Sequence, residues 1–139
     1  MFNYEKISTF LKNTAMQIPS RYNRVMPYLI IPEASRFIGF MSQVFGATLE
    51  LTVPRSEGVI MHGELRIGDS VIMFADTTDE VQARPAGLFI YVENVDETYK
   101  KGLDSGASST MVPTKMDYGY TCGFRDEFGN AWWPVEAEK

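Results

Sequence analysis

Two residues suited to acid–base chemistry stand two positions apart, His62 and Glu64, in the stretch Gly58 to Asp76. The spacing places both side chains on the same face of one strand, because strand side chains alternate with a period of two. An imidazole beside a carboxylate is the usual constitution of a general base with an orienting partner. The chain has a single histidine, so no other imidazole–carboxylate pair exists. Cys122 with His62 would make a nucleophile and base, but nothing in the sequence around Cys122 marks an activated thiol. The plain alternative is a surface or dimer-edge histidine.

The strands that carry the pair flank Gly68-Asp69, a dipeptide suited to a tight hairpin turn. A two-residue turn pairs Leu65 with Ile72 and sends His62 and Glu64 to the side opposite Ile72. A three-residue turn or a bulge brings them to the same side. The sequence is compatible with either.

Around this hairpin the chain divides in two. Residues 3–18 predict a helix, with Ile7, Phe10, Leu11 and Ile18 on one stripe and Pro19-Ser20 as its stop. A strand over 25–31, a helix from Pro32 to about Phe45 closed by Gly46, and a strand over 48–53 precede the hairpin. The polar stretch 77–84 is a linker. The pattern then repeats: a strand over 86–92, a helix capped by Asn94 or Asp96 and ended by Gly106, a short strand over 108–112, and strands over 118–125 and 131–136. Offset by 60 residues without a gap, Ile30 matches Ile90, Glu33 matches Glu93, and Gly46-Ala47 match Gly106-Ala107. Gly68 meets Gly129 one residue later. Such a period marks an internal duplication whose halves share one core. The organisation expected is one domain over 1–139, with an N-terminal helix in 1–22 and βαβββ modules over 25–76 and 85–137.

Composition narrows the function. The chain has 139 residues, 45% hydrophobic and 22% charged, with a net charge of −5. That acidity disfavours a nucleic-acid partner, which requires a basic surface. No apolar run is long enough for a membrane span. The N-terminal sequence lacks a signal-peptide layout, and the lone cysteine forms no internal disulfide or cysteine metal cluster. These features predict a cytoplasmic protein without nucleic-acid or membrane partners.

The motifs in order resemble the vicinal oxygen chelate superfamily, which includes glyoxalase I, bleomycin-resistance proteins and extradiol dioxygenases. Pro32 to Ala47, Met61 to Ser70 and Asp126-Glu127-Phe128-Gly129-Asn130-Ala131-Trp132 carry the likeness; Glu127 stands where the family has proline. The nearest branch is that of small, uncharacterised glyoxalase-like bacterial proteins. The resemblance implies an α+β fold in which two tandem βαβββ modules form a curved, trough-like sheet with helices outside. It also implies a divalent metal held by four His, Glu or Gln side chains. The corresponding positions here are Met26, Ile72, Ala86 and Trp133, and neither they nor their neighbours supply imidazole or carboxylate. The expectation is therefore no metal and no other cofactor.

Strand alternation predicts a trough lined by Met26, Tyr28, Ile72, Phe74, Ala86, Leu88 and Trp133, a surface suited to a small apolar or aromatic molecule. Three functions compete. The first is a metal-free small-molecule binding protein, a homodimer given the greasy N-terminal stripe. The second is a lyase, isomerase or dioxygenase of the same superfamily, using His62 and Glu64 or an atypically bound metal. The third is a non-catalytic homodimeric scaffold whose trough is packed shut around Trp133.

Overall fold

A computed structural model describes residues 16–138. Of the predicted N-terminal helix, residues 3–15 lie outside this range, and residues 16–18 are not helical. The first module comprises β1 (Tyr28–Ile31), α1 (Ala34–Phe45), β2 (Thr48–Ser56), β3 (Val59–Ile67) and β4 (Ser70–Asp76). The second comprises β5 (Gly87–Val92), α2 (Val95–Asp104), β6 (Ser108–Met116), β7 (Gly119–Arg125) and β8 (Ala131–Glu136). Each forms a four-stranded sheet, in the orders β1-β4-β3-β2 and β5-β8-β7-β6. The first strand runs parallel to the last, and the other pairs are antiparallel.

Local chemistry explains the boundaries. Asp76, at the end of β4, accepts the N–H of Ala34 at 2.8 Å and that of Ile60 at 2.7 Å, tying the start of α1 to β3. Gly46 stops α1 at a φ of 67°, where a side chain would be strained. In the second module Asn94, not Asp96, caps the helix through the Glu97 N–H at 3.0 Å. β6 extends through Pro113 to Met116, beyond the short segment expected from the proline.

The hairpin register is decisive. Ile67 pairs with Ser70 and Leu65 with Ile72, so Gly68-Asp69 is a two-residue turn. Leu65, Ile72 and Phe74 therefore share the face covered by α1, where Phe74 meets Phe37 edge-on at 5.5 Å. His62, Glu64 and Met73 share the other face with Tyr28, which is paired with Met73. Gly63 lies beneath the Phe74 ring, which occupies the space a Cβ would take.

The two modules bury one core. Phe37 and Phe40 of α1 meet Phe128 of the second module, and Phe45 lies 4.5 Å from Trp132 of β8. The helices also touch each other. Arg84, before β5, exchanges two backbone hydrogen bonds with Ile30 of β1 at 2.7 and 3.3 Å. Burying Phe37, Phe40 and Phe128 contributes roughly 1.5–3 kcal/mol each.

Candidate functional site

On the open face of the first module, side chains far apart in sequence form one hydrogen-bonded row. Glu64 is only 3% exposed, yet its carboxylate is well satisfied. His62 Nε2 lies 2.7 Å from Glu64 Oε2, and Tyr22 donates its hydroxyl to both carboxylate oxygens at 2.8 and 2.9 Å. Arg21 stacks over the Tyr22 ring and donates to its oxygen at 3.0 Å. Arg66 holds the loop by donating to the Arg21 carbonyl at 2.7 Å and to Glu50 at 2.6 Å. At the other end, His62 Nδ1 lies 2.9 Å from the Tyr28 hydroxyl.

The row has a direction. Burial pushes the Glu64 carboxyl up, but the hydrogen bonds from His62 and Tyr22, with the charge of Arg21, outweigh it and leave it below the usual range. An ionised carboxylate only accepts, so Nε2 carries the proton of a neutral His62 and Nδ1 accepts from Tyr28. Burial, then the Glu64 charge, raises the Tyr28 phenol; Arg55 pulls the other way. Tyr28 thus stays protonated, and the residue is 46% exposed on the open face.

The open face of the second module is different. Phe89, paired with Trp133 across β5 and β8, packs edge-on against Tyr91 at 5.3 Å and lies 6.4 Å from Tyr118. These rings are exposed, Tyr91 by 68% and Trp133 by 43%. The Trp133 ring passes 3.0 Å from where a Cβ on Gly87 would stand.

Between the modules lies a cleft of about 510 Å³. Ile72 and Val71 of β4 form one wall, and Leu88, Phe89, Ile90 and Tyr91 of β5 form the other. Trp132, 1% exposed, also lines the cleft, as do Asn23, Val25, Asp69 and Ser70. The volume is within the range of small-molecule sites.

The residues expected to line one trough are thus distributed. Ile72 and Leu88 line the cleft from the helix-covered side of their sheets. Phe74 is fully buried under α1 and lines nothing; the two-residue turn puts it there. Ala86 packs against the core, Met26 is half-buried and not among the cleft residues, and Tyr28 and Trp133 occupy the open faces of different modules. His62 and Glu64 are brought together on the open face. Tyr22 and the cleft residues Asn23 and Val25 have no counterpart among the residues expected from the sequence. They come from a loop forty or more residues from their partners, and no local pattern signals them. Cys122 is fully buried in β7, where burial and then the Asp96 charge push its thiol up to about 11, so it is no partner for His62.

The register also revises the metal positions that the resemblance implies. The modules correspond by 61 residues from β1 to β5, since Tyr28 pairs with Met73 as Phe89 pairs with Trp133. The equivalent set becomes Met26, Met73, Gly87 and Trp133, still without imidazole or carboxylate. No group of three or more His, Cys, Asp or Glu among the described residues could hold a metal ion. The donor set does not fit the metal centre implied by the resemblance. No helix among the described residues is long and apolar enough to cross a membrane.

Comparison with known proteins agrees with this architecture. A sequence model of the Glyoxalase/Bleomycin resistance protein/Dioxygenase superfamily matches residues 21–133, and the chain belongs to that superfamily. An uncharacterised protein of Mycobacterium tuberculosis, Rv0887c, is 25% identical over 118 residues, covering 76% of this chain and 69% of its own. Among solved structures, PA1353 of Pseudomonas aeruginosa superposes with a TM-score of 0.68 at 22% identity, covering 84% of this chain and 99% of its own. TnmS3 of Streptomyces sp. CB03234, described as an antibiotic binding protein, superposes with a TM-score of 0.65 at 15% identity, covering 90% and 99%. The paired βαβββ modules are those of the glyoxalase fold.

Proposed function

We propose that the protein binds a small apolar or aromatic molecule in the cleft between its modules, without the metal found in other members of the superfamily. The cleft carries this reading: about 510 Å³ lined mainly by apolar side chains, Ile72, Leu88, Ile90, Phe89 and Trp132 among them, with a few polar groups such as Asn23, Asp69 and Ser70. Apolar walls supply affinity and a few polar groups fix orientation, the usual division of labour in such sites. The description of TnmS3 as an antibiotic binding protein supports it. We read the whole chain as one domain, acting as a cytoplasmic homodimer.

The test is titration with N-phenyl-1-naphthylamine, a neutral apolar dye whose emission rises when it leaves water. Saturable binding at one dye per chain is expected. Phe89→Ala and Tyr91→Ala, both at exposed positions, should weaken it about three- to tenfold, the size of a lost aromatic contact. Absence of saturable binding to the folded protein, or binding indifferent to both substitutions, would refute the cleft.

A further inference from the structure

We propose that the Tyr28–His62–Glu64 row is a proton-accepting site for a small molecule bearing an acidic hydroxyl, a phenol or an enol, which it binds as the anion. The inference stands on the row's geometry and does not depend on occupancy of the cleft.

Each link follows from what surrounds it. Glu64 is buried, held by Tyr22 on one side and by His62 Nε2 on the other, so its charge is fixed beside the imidazole. His62 Nδ1 is left as an acceptor, and the Tyr28 hydroxyl donates to it at 2.9 Å. The Tyr28 oxygen then presents its free lone pairs to solvent as an acceptor without a described protein donor. A ligand hydroxyl placed there meets a base two bonds deep. Its proton goes to the Tyr28 oxygen, the Tyr28 proton passes to His62 Nδ1, and the imidazolium formed is neutralised by Glu64. The ligand keeps the electron pair as an oxyanion, so protons and charge balance without any co-reactant.

The charge that balances this anion is the imidazolium formed at His62, assisted by Arg55, while burial and Glu64 oppose it. Arg55, exposed on the neighbouring β2, is close enough to Tyr28 for its charge to act on the phenol. Arg21 sits behind Tyr22 at the far end of the row. The titratable and charged groups around the row are therefore Tyr22, Glu64, Arg21, Arg55 and the Arg66–Glu50 pair behind the Arg21 loop; Glu50 is paired with Arg66, and the carboxylate in the row itself is Glu64. It is already committed to two donors. A structural role alone would be met by any buried pair; it would not need a half-exposed phenol at the end of the chain of bonds.

The probe is p-nitrophenol, whose visible band reports its ionisation. With protein in excess, its apparent pKa should fall by about half a unit or more, roughly a threefold rise in the ionised ratio at fixed pH. The His62 ring-proton resonance, the single histidine signal of the chain, should move toward its imidazolium position as nitrophenol is added. Tyr28→Phe should abolish both effects, and His62→Asn, which has no histidine signal, should abolish the nitrophenol shift, with thermal melts checking that each variant is folded. Tyr28→Phe replaces an exposed hydroxyl and serves if His62→Asn fails to fold. An unmoved nitrophenol titration, an unmoved His62 resonance, or effects that survive in folded Tyr28→Phe would each overturn the proposal. None of these results bears on binding of the neutral dye, so the two readings fail separately.

Discussion

The two modules carry the same backbone and opposite chemistry. On the first open face Tyr28, His62, Glu64 and Tyr22 form a continuous chain of hydrogen bonds. On the second, Phe89, Tyr91, Tyr118 and Trp133 present exposed aromatic surface. Equivalent positions make the contrast concrete: Tyr28 with Met73 in one module, Phe89 with Trp133 in the other. A duplicated scaffold fixes where side chains point and leaves their chemistry free. Fold alone therefore says little about function, and the asymmetry between the faces says more.

The comparison breaks hardest at the adjacent tryptophans. Trp132 is buried and donates its Nε1 proton to Asp126 at 2.8 Å, whereas Trp133 lies on the open face. Trp132→Ala should cost about 3–5 kcal/mol, enough to approach unfolding, and urea melts will show it. Trp133→Ala should cost under about 2 kcal/mol, since much of its surface is already in water. Equal losses would mean that the second open face is packed core.

A smaller effect tests the first module. Gly63→Ala would drive a methyl group into the Phe74 ring and should destabilise by about 1–3 kcal/mol. A neutral result would contradict the register that puts Phe74 under α1. Glu64→Gln should cost about 1–2 kcal/mol at neutral pH through weakened bonds to His62 and Tyr22. A carboxyl held below its unfolded pKa adds stability above that value and loses it as pH falls through the folded one. The gap in melting temperature between wild type and Glu64→Gln should therefore close in acid. A gap constant down to the lowest pH at which both fold would remove Glu64's ionised role. The mildest variant is Tyr28→Phe, which should change stability by less than about 1 kcal/mol.

Much of this plan was legible in the sequence. Gly46-Ala47 and Gly106-Ala107 mark the duplication, and Gly68-Asp69 marks the hairpin that separates His62 from Ile72. The faces were harder. An ungapped offset of 60 aligns Ile30 with Ile90, but Ala34 and Val95 open the helices 61 apart, so the first strands slip by one. One residue of slip turns a strand over, which is why Leu88 lies on the helix-covered side while Tyr28 lies on the open one. Tyr22 was beyond reach. Its bond to Glu64 spans 42 residues and depends on a loop whose path only the tertiary fold determines.

Cys122 gives the molecule a built-in clock. Its thiol is fully buried among β-strands of the second module and pushed up to about 11, so a reagent in solution meets neither an accessible sulfur nor a thiolate. Reaction then waits for the sheet to open. Because the chain has one cysteine, the appearance of a single chromophore from a disulfide reagent counts those openings without ambiguity. At low reagent the rate measures the free energy of opening, and at high reagent it measures how often opening occurs. Run with and without ligand, the same reaction would tell whether occupancy of the cleft or of the Tyr28 row quiets the motion of a strand that neither ligand touches.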